Sequence, residues 1–323
     1  MNIKKSAFVS RGQIASDPIQ CPLCGSQPER FFRVGPDRLH LRKELYEMVR
    51  CVECTLVWVN NPPAPEKMPY HYGSDYHRGI TSTCVSSPSR WRRRAMVLKH
   101  KQSGNALDLG CSSGGFLETL KGGDWQLSGV EIDRSCAAVA RERTGASVVT
   151  GDLLEARFPT ESFDVITCFH VLEHHADPVS LFKQVGAWLK PGGMFFIAIP
   201  NFGAWESTIF RSYWYGLELP RHLFHYSPTS LRRLASITGF EEVELSTRPD
   251  SYMEHSARYL IDRAAEVVGI SRVPLAAGEP ASFPLKVIRK LLRITIAWPF
   301  TYVASAAGAG ASIEGAFRKS RVD

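Results

Sequence analysis

From about residue 100 onward, short apolar runs alternate with segments of helical period. The apolar runs predict buried strands near 105–109, 126–131, 147–150, 163–168 and 194–200. Apolar positions at helical spacing predict helices near 115–121, 134–144 and 177–189. Because strands and helices alternate, the sequence predicts an α/β fold with a doubly wound, mostly parallel sheet.

The pattern of elements continues beyond residue 220. Ser227 and Pro228 predict the start of a helix over 229–238, and a strand follows at 241–246. An insertion at about 250–308 then has helical stretches near 251–269 and 284–303.

Residues 294–313 of this insertion hold no charged side chain. Three alternatives follow: a membrane-spanning helix, a peripheral contact with membrane or lipid through about 284–310, or packing in the core or against another subunit. Pro299 and the many small or polar residues argue against a spanning helix.

The N-terminal part carries a different pattern, made of two cysteine pairs. Cys21 and Cys24 form one C-x2-C unit, and Cys51 and Cys54 form a second. Two such pairs favour one tetrahedral, structural Zn²⁺ over a redox pair, because each tight turn supplies two thiolates. Short strands at 47–50 and 56–59 would surround the second pair. The predicted organisation is a tail at 1–18, a zinc ribbon at 19–62, a linker or lid at 63–89, and a catalytic domain at 90–323.

Composition and charge fit a globular enzyme. The chain has 323 residues, 44% hydrophobic and 22% charged, with a formal net charge of +7. No apolar stretch follows Lys4 and Lys5, so we expect no secretory signal and a cytoplasmic location, with peripheral attachment at the inner face of the membrane as a variant. The other four cysteines lack ligand spacing and are expected to be small buried residues: Cys84, Cys111, Cys136 and Cys168.

The stretch 105–115 carries the clearest chemistry. A buried strand runs into a turn of small residues with Gly110 and Gly114, and a helix follows. The turn matches neither the dinucleotide nor the P-loop phosphate pattern, since it lacks the Lys and has Ser112 where a glycine is expected. The next strand ends at Glu131, whose carboxylate suits the hydroxyls of a ribose.

These motifs resemble those of the class I S-adenosylmethionine-dependent methyltransferases. The resemblance rests on segments in the family's order: 107–114, Glu131, 151–153, 162–168, 170–174, 189–193 and 199–201. Residues 311–318 are similar to the family's seventh strand. The resemblance therefore implies a Rossmann-like, seven-stranded sheet and S-adenosylmethionine as the cofactor.

The same resemblance implies the residues that bind this cofactor. They are Asp108, Gly110, Cys111, Ser112, Gly114, Glu131, Ile132, Asp152, Leu153, Phe169 and His170. Asp108, Gly110 and Gly114 would shape the methionine pocket, Glu131 would hold the ribose, and Asp152 with Leu153 would border the adenine.

Methyl transfer requires that the acceptor atom be aligned with the methyl group and that one proton be removed. Candidate bases are therefore histidines near the carboxyl ends of the strands. The segment 219–228 resembles one found in zinc-ribbon methyltransferases of the sugar and polysaccharide-modifying type, and on that resemblance His222 is the base. Arg221 stands where related sugar C-methyltransferases have Glu, which favours O-methylation, with Arg221 on a substrate phosphate or carboxylate. His170 is the second candidate base; either histidine could instead have only a structural role.

The sequence therefore predicts a methyltransferase that acts on a small, oxygen-rich acceptor, such as a carbohydrate or natural-product precursor. A quinone or lipid methyltransferase at a membrane surface is one alternative. An RNA methyltransferase is another, because the basic run 90–94 adjoins the zinc ribbon. Such a run is more often a solvated helix face and no base-stacking module is evident, so nucleic acid is not the expected partner. A scaffold without activity is a further alternative.

Overall fold

Two sheets organise the part of the chain that the computed structural model describes, residues 20–72, 88–267 and 293–320. The strands, numbered in chain order, are β1 Pro28–Pro36, β2 Leu45–Cys51, β3 Val57–Val59, β4 Gly104–Leu109, β5 Trp125–Glu131, β6 Ser147–Thr150, β7 Phe163–Phe169, β8 Leu189–Pro200, β9 Phe224–His225, β10 Phe240–Arg248 and β11 Ser312–Lys319. The α-helices are α1 Met68–Tyr72, α2 Pro88–His100, α3 Leu117–Leu120, α4 Arg134–Thr144, α5 Pro178–Trp188, α6 Trp205–Phe210, α7 Pro228–Ile237, α8 Tyr252–Val267 and α9 Trp298–Ala306.

The larger sheet has seven strands in the order β10-β11-β8-β7-β4-β5-β6. Strands β4 to β8 pair in parallel, whereas β11 runs antiparallel to both β8 and β10. The predicted α/β fold with a mixed, Rossmann-like sheet of seven strands is therefore confirmed. Its strand order reverses between β4 and β7, and the crevice at that reversal is where α/β sheets bind ligands.

The centre of this sheet is buried on both faces, as its apolar runs require. Val165, Ile166 and Cys168 of β7 have no exposed surface, and neither does the stretch 195–199 of β8. Strands that are covered on both faces need continuous rather than alternating apolar residues. Such runs can therefore be identified in the sequence. The core fixes the positions of the loops at the carboxyl edge.

The smaller sheet joins the N-terminal region to the catalytic region. Strands β1, β2 and β3 form an antiparallel meander, and β9 adds a fourth strand from far along the chain. In that pairing Val57 lies opposite His225, and Trp58 lies opposite Phe224. The strands predicted at 47–50 and 56–59 correspond to β2 and β3, whereas β1 and β9 were not predicted. The cysteine-rich region is thus continuous with the loop that contains His222.

The insertion is described only in part. Helix α8 confirms the stretch near 251–269, and a π-helical turn Arg293–Ala297 leads into α9. Residues 268–292, and with them residues 284–292 of the predicted stretch 284–303, lie outside the described residues. No helix among the described residues is both long and apolar enough to cross a bilayer. Peripheral contact through 284–310 stays a prediction, and Ile296, Trp298, Tyr302 and Val303 are exposed there.

The basic run on α2 is used inside the molecule. Arg92 donates two hydrogen bonds to the buried carboxylate of Glu314, at 2.9 and 2.7 Å, and Arg93 Nε donates a third at 3.2 Å. Arg94 donates to the backbone oxygen of Thr119 at 2.7 Å. The run therefore fixes α2 against β11, which argues against a solvated helix face and against its use in binding RNA.

The remaining cysteines behave as expected where they are described. Cys111, Cys136 and Cys168 are buried, and Cys168 lies near the carboxyl end of β7. Burial raises the pKa of Cys136 to about 11, and that of Cys168 well above its usual value. These thiols are therefore protonated packing groups. Cys84 lies outside the described residues, as do the tail 1–18 and residues 73–87 of the predicted linker or lid.

Candidate functional site

The four cysteines of the N-terminal region converge. Their Sγ atoms all lie within 4.8 Å of one another. Cys21 Sγ is 3.5 Å from Cys54 Sγ, and Cys24 Sγ is 3.3 Å from Cys51 Sγ. A tetrahedral Zn²⁺ with Zn–S bonds of about 2.3 Å needs sulfur atoms about 3.8 Å apart, so the cluster fits such an ion with small adjustments. The hydrogen bond between Cys21 and Cys54 lowers the pKa of Cys21 to about 5 and raises that of Cys54, so these two sulfur atoms hold one proton between them.

The glycine turn after β4 lies against the segment that follows β7. Gly110 has a φ of +65°, and a Cβ there would lie 2.4 Å from Val171 Cγ2. Gly114 has a φ of +77°, and its Cβ would meet Thr144 Cγ2 at 2.8 Å. Ser112 adopts a left-handed φ of +49°, which explains why glycine is usual there. Both glycines are thus required by conformation and by space.

Glu131 closes this turn from the neighbouring strand. Its Oε2 accepts a hydrogen bond from the Ser112 amide at 2.8 Å, and its Oε1 accepts one from the Asp133 amide at 2.8 Å. The side chain is buried, and the next residue, Ile132, is 69% exposed. A carboxylate fixed by two backbone donors keeps lone pairs for a bound diol, beside an apolar surface for a flat ring.

The other predicted cofactor residues lie around the same edge of the sheet. Asp108 is buried between β4 and β7, where burial raises its pKa to about 7 although Thr167 donates a hydrogen bond to it at 2.6 Å. Leu153 is buried, and Asp152 accepts a hydrogen bond from the Leu154 amide at 2.8 Å. Phe169 packs edge-on against Phe116, with ring centroids 4.9 Å apart, and Cys111 is buried under the turn.

His170 does not present a free proton acceptor. Arg93 NH2 lies 2.7 Å from His170 Nε2, and a guanidinium can only donate, so that nitrogen carries no proton. His170 Nδ1 faces Glu173 Oε1 at 3.3 Å. Both ring nitrogens are therefore engaged, which argues against the expectation that His170 is a second base. Its left-handed φ of +58° holds the ring in this position.

A carboxylate and two imidazoles meet beside this histidine. Glu173, His174 and His222 place ligand atoms within 4.8 Å of one another, and the two imidazole centroids are 4.6 Å apart. Burial would raise the pKa of Glu173, but the contact with His170 and the nearby histidine charges lower it to about 2. Burial and the charge of His222 lower the pKa of His174 to about 4.

The tautomer of His222 follows from its surroundings. Its Nδ1 donates to the backbone oxygen of Gly216 at 2.9 Å, so Nε2 carries the lone pair. The cluster can therefore take up one proton from a bound hydroxyl, and three such atoms could also ligate a divalent cation. The turn Leu172–His174 directly follows Val171, which contacts Gly110, so the cluster adjoins the glycine turn.

Arg221 does not fit the expectation that it contacts a substrate anion. Its side chain has no exposed surface. NH1 and NH2 donate to the two carboxylate oxygens of Asp37 at 3.1 and 3.2 Å, and NH1 also donates to His71 O at 2.7 Å. Nε donates to Glu218 at 3.0 Å. Every nitrogen is satisfied by the protein, so the structure argues for a positioning role instead.

Sequence reasoning missed several residues of this region. Asp37, Glu218 and the hydroxyl of Tyr72, which lies 3.2 Å from His174 Nδ1, carried no motif. Glu218 lies close before His222 and was a detectable signal, because residues four apart can share one face of a turn. The other two come from the N-terminal region and meet the site only in the folded chain.

Comparisons with known proteins point in one direction. A family model described as "Methyltransferase domain" matches residues 86–245. The ubiquinone biosynthesis O-methyltransferase of Thiobacillus denitrificans is 33% identical over 154 residues, covering 43% of this chain and 66% of that protein. The enzyme of the same name from Coxiella burnetii is 30% identical over 190 residues, covering 53% of this chain and 80% of that protein.

The fold comparison agrees. Phosphoethanolamine N-methyltransferase 2 of Haemonchus contortus, solved in complex with S-adenosyl-L-methionine, superposes with a TM-score of 0.53. The two sequences are 20% identical, and the match covers 82% of this chain and 64% of that one. At this level of identity the likeness concerns the fold.

Proposed function

The chain belongs to the S-adenosylmethionine-dependent methyltransferases, and on that premise we propose that it methylates a hydroxyl oxygen of a small phenolic acceptor, of the kind that leads to quinones. The observation that carries this proposal is the cluster of Glu173, His174 and His222, in which Gly216 O holds Nδ1–H of His222 and Nε2 keeps the lone pair. The names of the relatives support the acceptor class, because both are O-methyltransferases of ubiquinone biosynthesis.

S-adenosylmethionine supplies an activated methyl group when it is bound. Glu131 binds the ribose hydroxyls through the lone pairs that its two backbone donors leave over. Ile132 and Leu153 border the adenine, and Asp152 caps the loop beside it. The turn Gly110–Gly114 would hold the methionine part through its backbone groups, because its left-handed glycines turn the chain sharply at the end of β4. Asp108, Cys111, Ser112, Phe169 and His170 would complete the cofactor site.

His222 is the base. A neutral imidazole accepts the hydroxyl proton at Nε2 while Nδ1 stays fixed on Gly216 O, and the ionised Glu173 stabilises the positive charge that develops. His174 remains neutral above about pH 5, because its pKa is about 4, so it adds no competing charge. His222 would thus remove one proton from the acceptor oxygen, which the bound cofactor would methylate.

The acidity of the acceptor hydroxyl distinguishes the acceptor classes. A phenol has a pKa of about 10, as tyrosine does, so an imidazole can take its proton within a hydrogen bond. Sugar hydroxyls are weaker acids and need a stronger base. This argument and the relatives favour the phenolic acceptor over the sugar acceptor that the sequence pattern first indicated. Arg92, Arg93 and Arg94 donate hydrogen bonds within the protein, which argues against RNA as the acceptor.

The cysteine cluster has a supporting role in the same proposal. Cys21, Cys24, Cys51 and Cys54 hold one Zn²⁺ in a closed site, where the ion supplies structural cross-linking and no reactive position. Its sheet carries β9, and β9 directly follows the segment with His222. The zinc module therefore supports the acceptor side of the site.

An acceptor screen tests the proposal. Purified protein is incubated with methyl-labelled S-adenosylmethionine and one of three probes: catechol, a nucleotide sugar, or bulk tRNA. We expect label in catechol, and a decrease of ~100-fold or more in kcat for His222→Gln with S-adenosylhomocysteine affinity unchanged. Labelling of the nucleotide sugar alone would refute the phenolic acceptor, and full activity of His222→Gln would refute the base.

A further inference from the structure

Asp37 lies in the loop after β1, far in sequence from the catalytic residues, yet it is completely buried. Its carboxylate accepts two hydrogen bonds from Arg221, at 3.1 and 3.2 Å. The backbone amide of His40 and the Nδ1 of His71 also contact it, each at 3.3 Å. An aspartate of the N-terminal module is thus enclosed by charge and hydrogen-bond partners at the base of the site.

Arg221 connects Asp37 to the proposed base, His222, in two ways. Along the backbone, it directly precedes His222, and its carbonyl oxygen lies 3.1 Å from His174 Nδ1. Along the side chain, its Nε donates to Glu218 Oε1 at 3.0 Å, and the other oxygen of Glu218 lies 3.6 Å from His222 Nε2. Both routes end on an imidazole of the cluster.

Electrostatics agree with this geometry. Burial would raise the pKa of Glu218, but the charges of His222 and Arg221 lower it below its usual value. Glu218 is therefore ionised and lies next to the nitrogen that accepts the proton. The pKa of Arg221 is raised by Glu218 and Asp37, against the effect of burial.

A buried ion pair is a poor means of stabilising a fold, because desolvation offsets most of the attraction, whereas its directional hydrogen bonds restrict geometry. We propose that Asp37 is a positioning residue for methyl transfer, which holds Arg221 and through it Glu218 and His222. The inference rests on the proposed function of His222. It makes the N-terminal module a functional part of the site.

Amide hydrogen exchange measures whether Asp37 holds the segment around His222 in place, and it requires no acceptor. The full-length protein carries Asp37→Asn, and the matched control carries Glu29→Gln, which breaks an exposed ion pair with Arg50 in the same sheet. We expect amides in 216–225 to exchange about tenfold faster in Asp37→Asn than in the wild type, with 105–115 unchanged. Glu29→Gln should change neither. Unchanged exchange in 216–225 would overturn the inference.

Steady-state kinetics with catechol measure whether Asp37 contributes to methyl transfer. Asp37→Asn should lower kcat by ~30-fold or more, while the affinity for S-adenosylhomocysteine stays within about twofold. In a His222→Gln background the same change should have no further effect, because Asp37 acts through that residue. An equal loss in both backgrounds would mean that Asp37 has only a structural role, which overturns the inference.

One further variant keeps the test valid if Asp37→Asn folds poorly. Asp37→Asn combined with Arg221→Met and Glu218→Gln removes the three linked buried charges, so the melting temperature should recover while turnover stays low. Recovery of turnover together with stability would overturn the inference. If the wild type methylates no catechol, the proposed acceptor class fails, and the exchange experiment still decides the role of Asp37.

Discussion

Buried carboxylates decide much of the behaviour of this protein at the scale of the single residue. Glu131, Glu173, Glu206 and Glu314 all have almost no exposed surface, but their environments differ. Glu314 has three arginine nitrogens within hydrogen-bond distance, and Glu173 has histidines, so their pKa values are lowered. For Glu206, burial and the nearby charge of Asp250 raise the pKa to about 8. The same residue type therefore serves as an ion in one place and as an acid in another.

The first prediction concerns Glu131. Its replacement by Ala removes the acceptor for two backbone amides and for the ribose, so the Kd for S-adenosylhomocysteine should rise about 10- to 100-fold, as expected for a hydrogen bond to a charged group. Isothermal titration calorimetry measures this change. Glu142→Gln, on the exposed side of α4, is the control and should bind like the wild type. Wild-type affinity in Glu131→Ala would show that Glu131 does not hold the ribose.

The second prediction concerns Glu206 and pH. Because the folded state raises its pKa from 4.5 to about 8, the folded state binds the proton more tightly than the unfolded chain does. The stabilisation is complete below about pH 4.5 and is lost as the pH rises through about 8. Relative to Glu206→Gln, the free energy of unfolding should fall by roughly 2 to 4 kcal/mol over this range.

Urea denaturation at a series of pH values measures this difference. Glu155→Gln changes an exposed glutamate and should keep the pH dependence of the wild type. Parallel curves for the wild type and Glu206→Gln would contradict the assignment of a protonated Glu206.

At the scale of the element, the turn after β4 is constrained both by its own conformation and by its neighbour. Its residues need left-handed backbone, which glycine adopts without cost and Ser112 adopts with strain. The segment after β7 then approaches so closely that no side chain fits at Gly110. The conformational requirement is local, whereas the close approach depends on the packing of two strands.

A pair of glycine substitutions separates these two effects. Gly110→Ala and Gly145→Ala both force alanine into left-handed backbone, at about 1 to 2 kcal/mol each. A Cβ at Gly145 meets no atom within 4 Å, whereas at Gly110 it would lie 2.4 Å from Val171. Gly110→Ala should therefore lose about 1 to 3 kcal/mol more in urea denaturation. Equal losses would mean that the contact with Val171 relaxes without cost.

At the scale of the whole molecule, two sheets with different supports share one site. The seven-stranded sheet is held by its apolar core, and the small sheet is held by the cysteine cluster and by β9. Asp37 and Tyr72 come from the N-terminal part, whereas Glu173 and His222 come from the catalytic part. The site therefore depends on the docking of the two parts.

We expect the cysteine cluster to bind zinc and to stabilise the fold. The purified protein should contain about one Zn²⁺ per chain, and Cys54→Ser should reduce that content and lower the melting temperature, because metal binding contributes directly to folding. Elemental analysis and thermal unfolding measure both effects. Cys136→Ser is the matched control, since Cys136 is equally buried but lies outside the cluster. Full stability of metal-free protein would contradict a structural role for the ion.

Elements and motifs that depend on neighbouring residues could be predicted from the amino-acid sequence. The alternation of apolar runs and helical segments predicted the larger sheet, because burial of strands and helix faces follows a short period. The turn at 110–114, the acidic end of β5 and the two C-x2-C units were equally visible, because backbone conformation and ligand spacing act over a few residues.

Contacts between residues that are distant in sequence could be identified only in the folded chain. Arg221 and Asp37 are 184 residues apart, and Arg92 and Glu314 are 222 residues apart, so no local pattern relates them. The same holds for β9, a strand of two residues that exists because β3 offers it a hydrogen-bonding edge. A buried charge is tolerated only with its partner, and that partner is supplied by folding. For this reason the sequence pattern assigned Arg221 to a substrate anion, whereas in the folded chain Arg221 donates to Asp37 and Glu218.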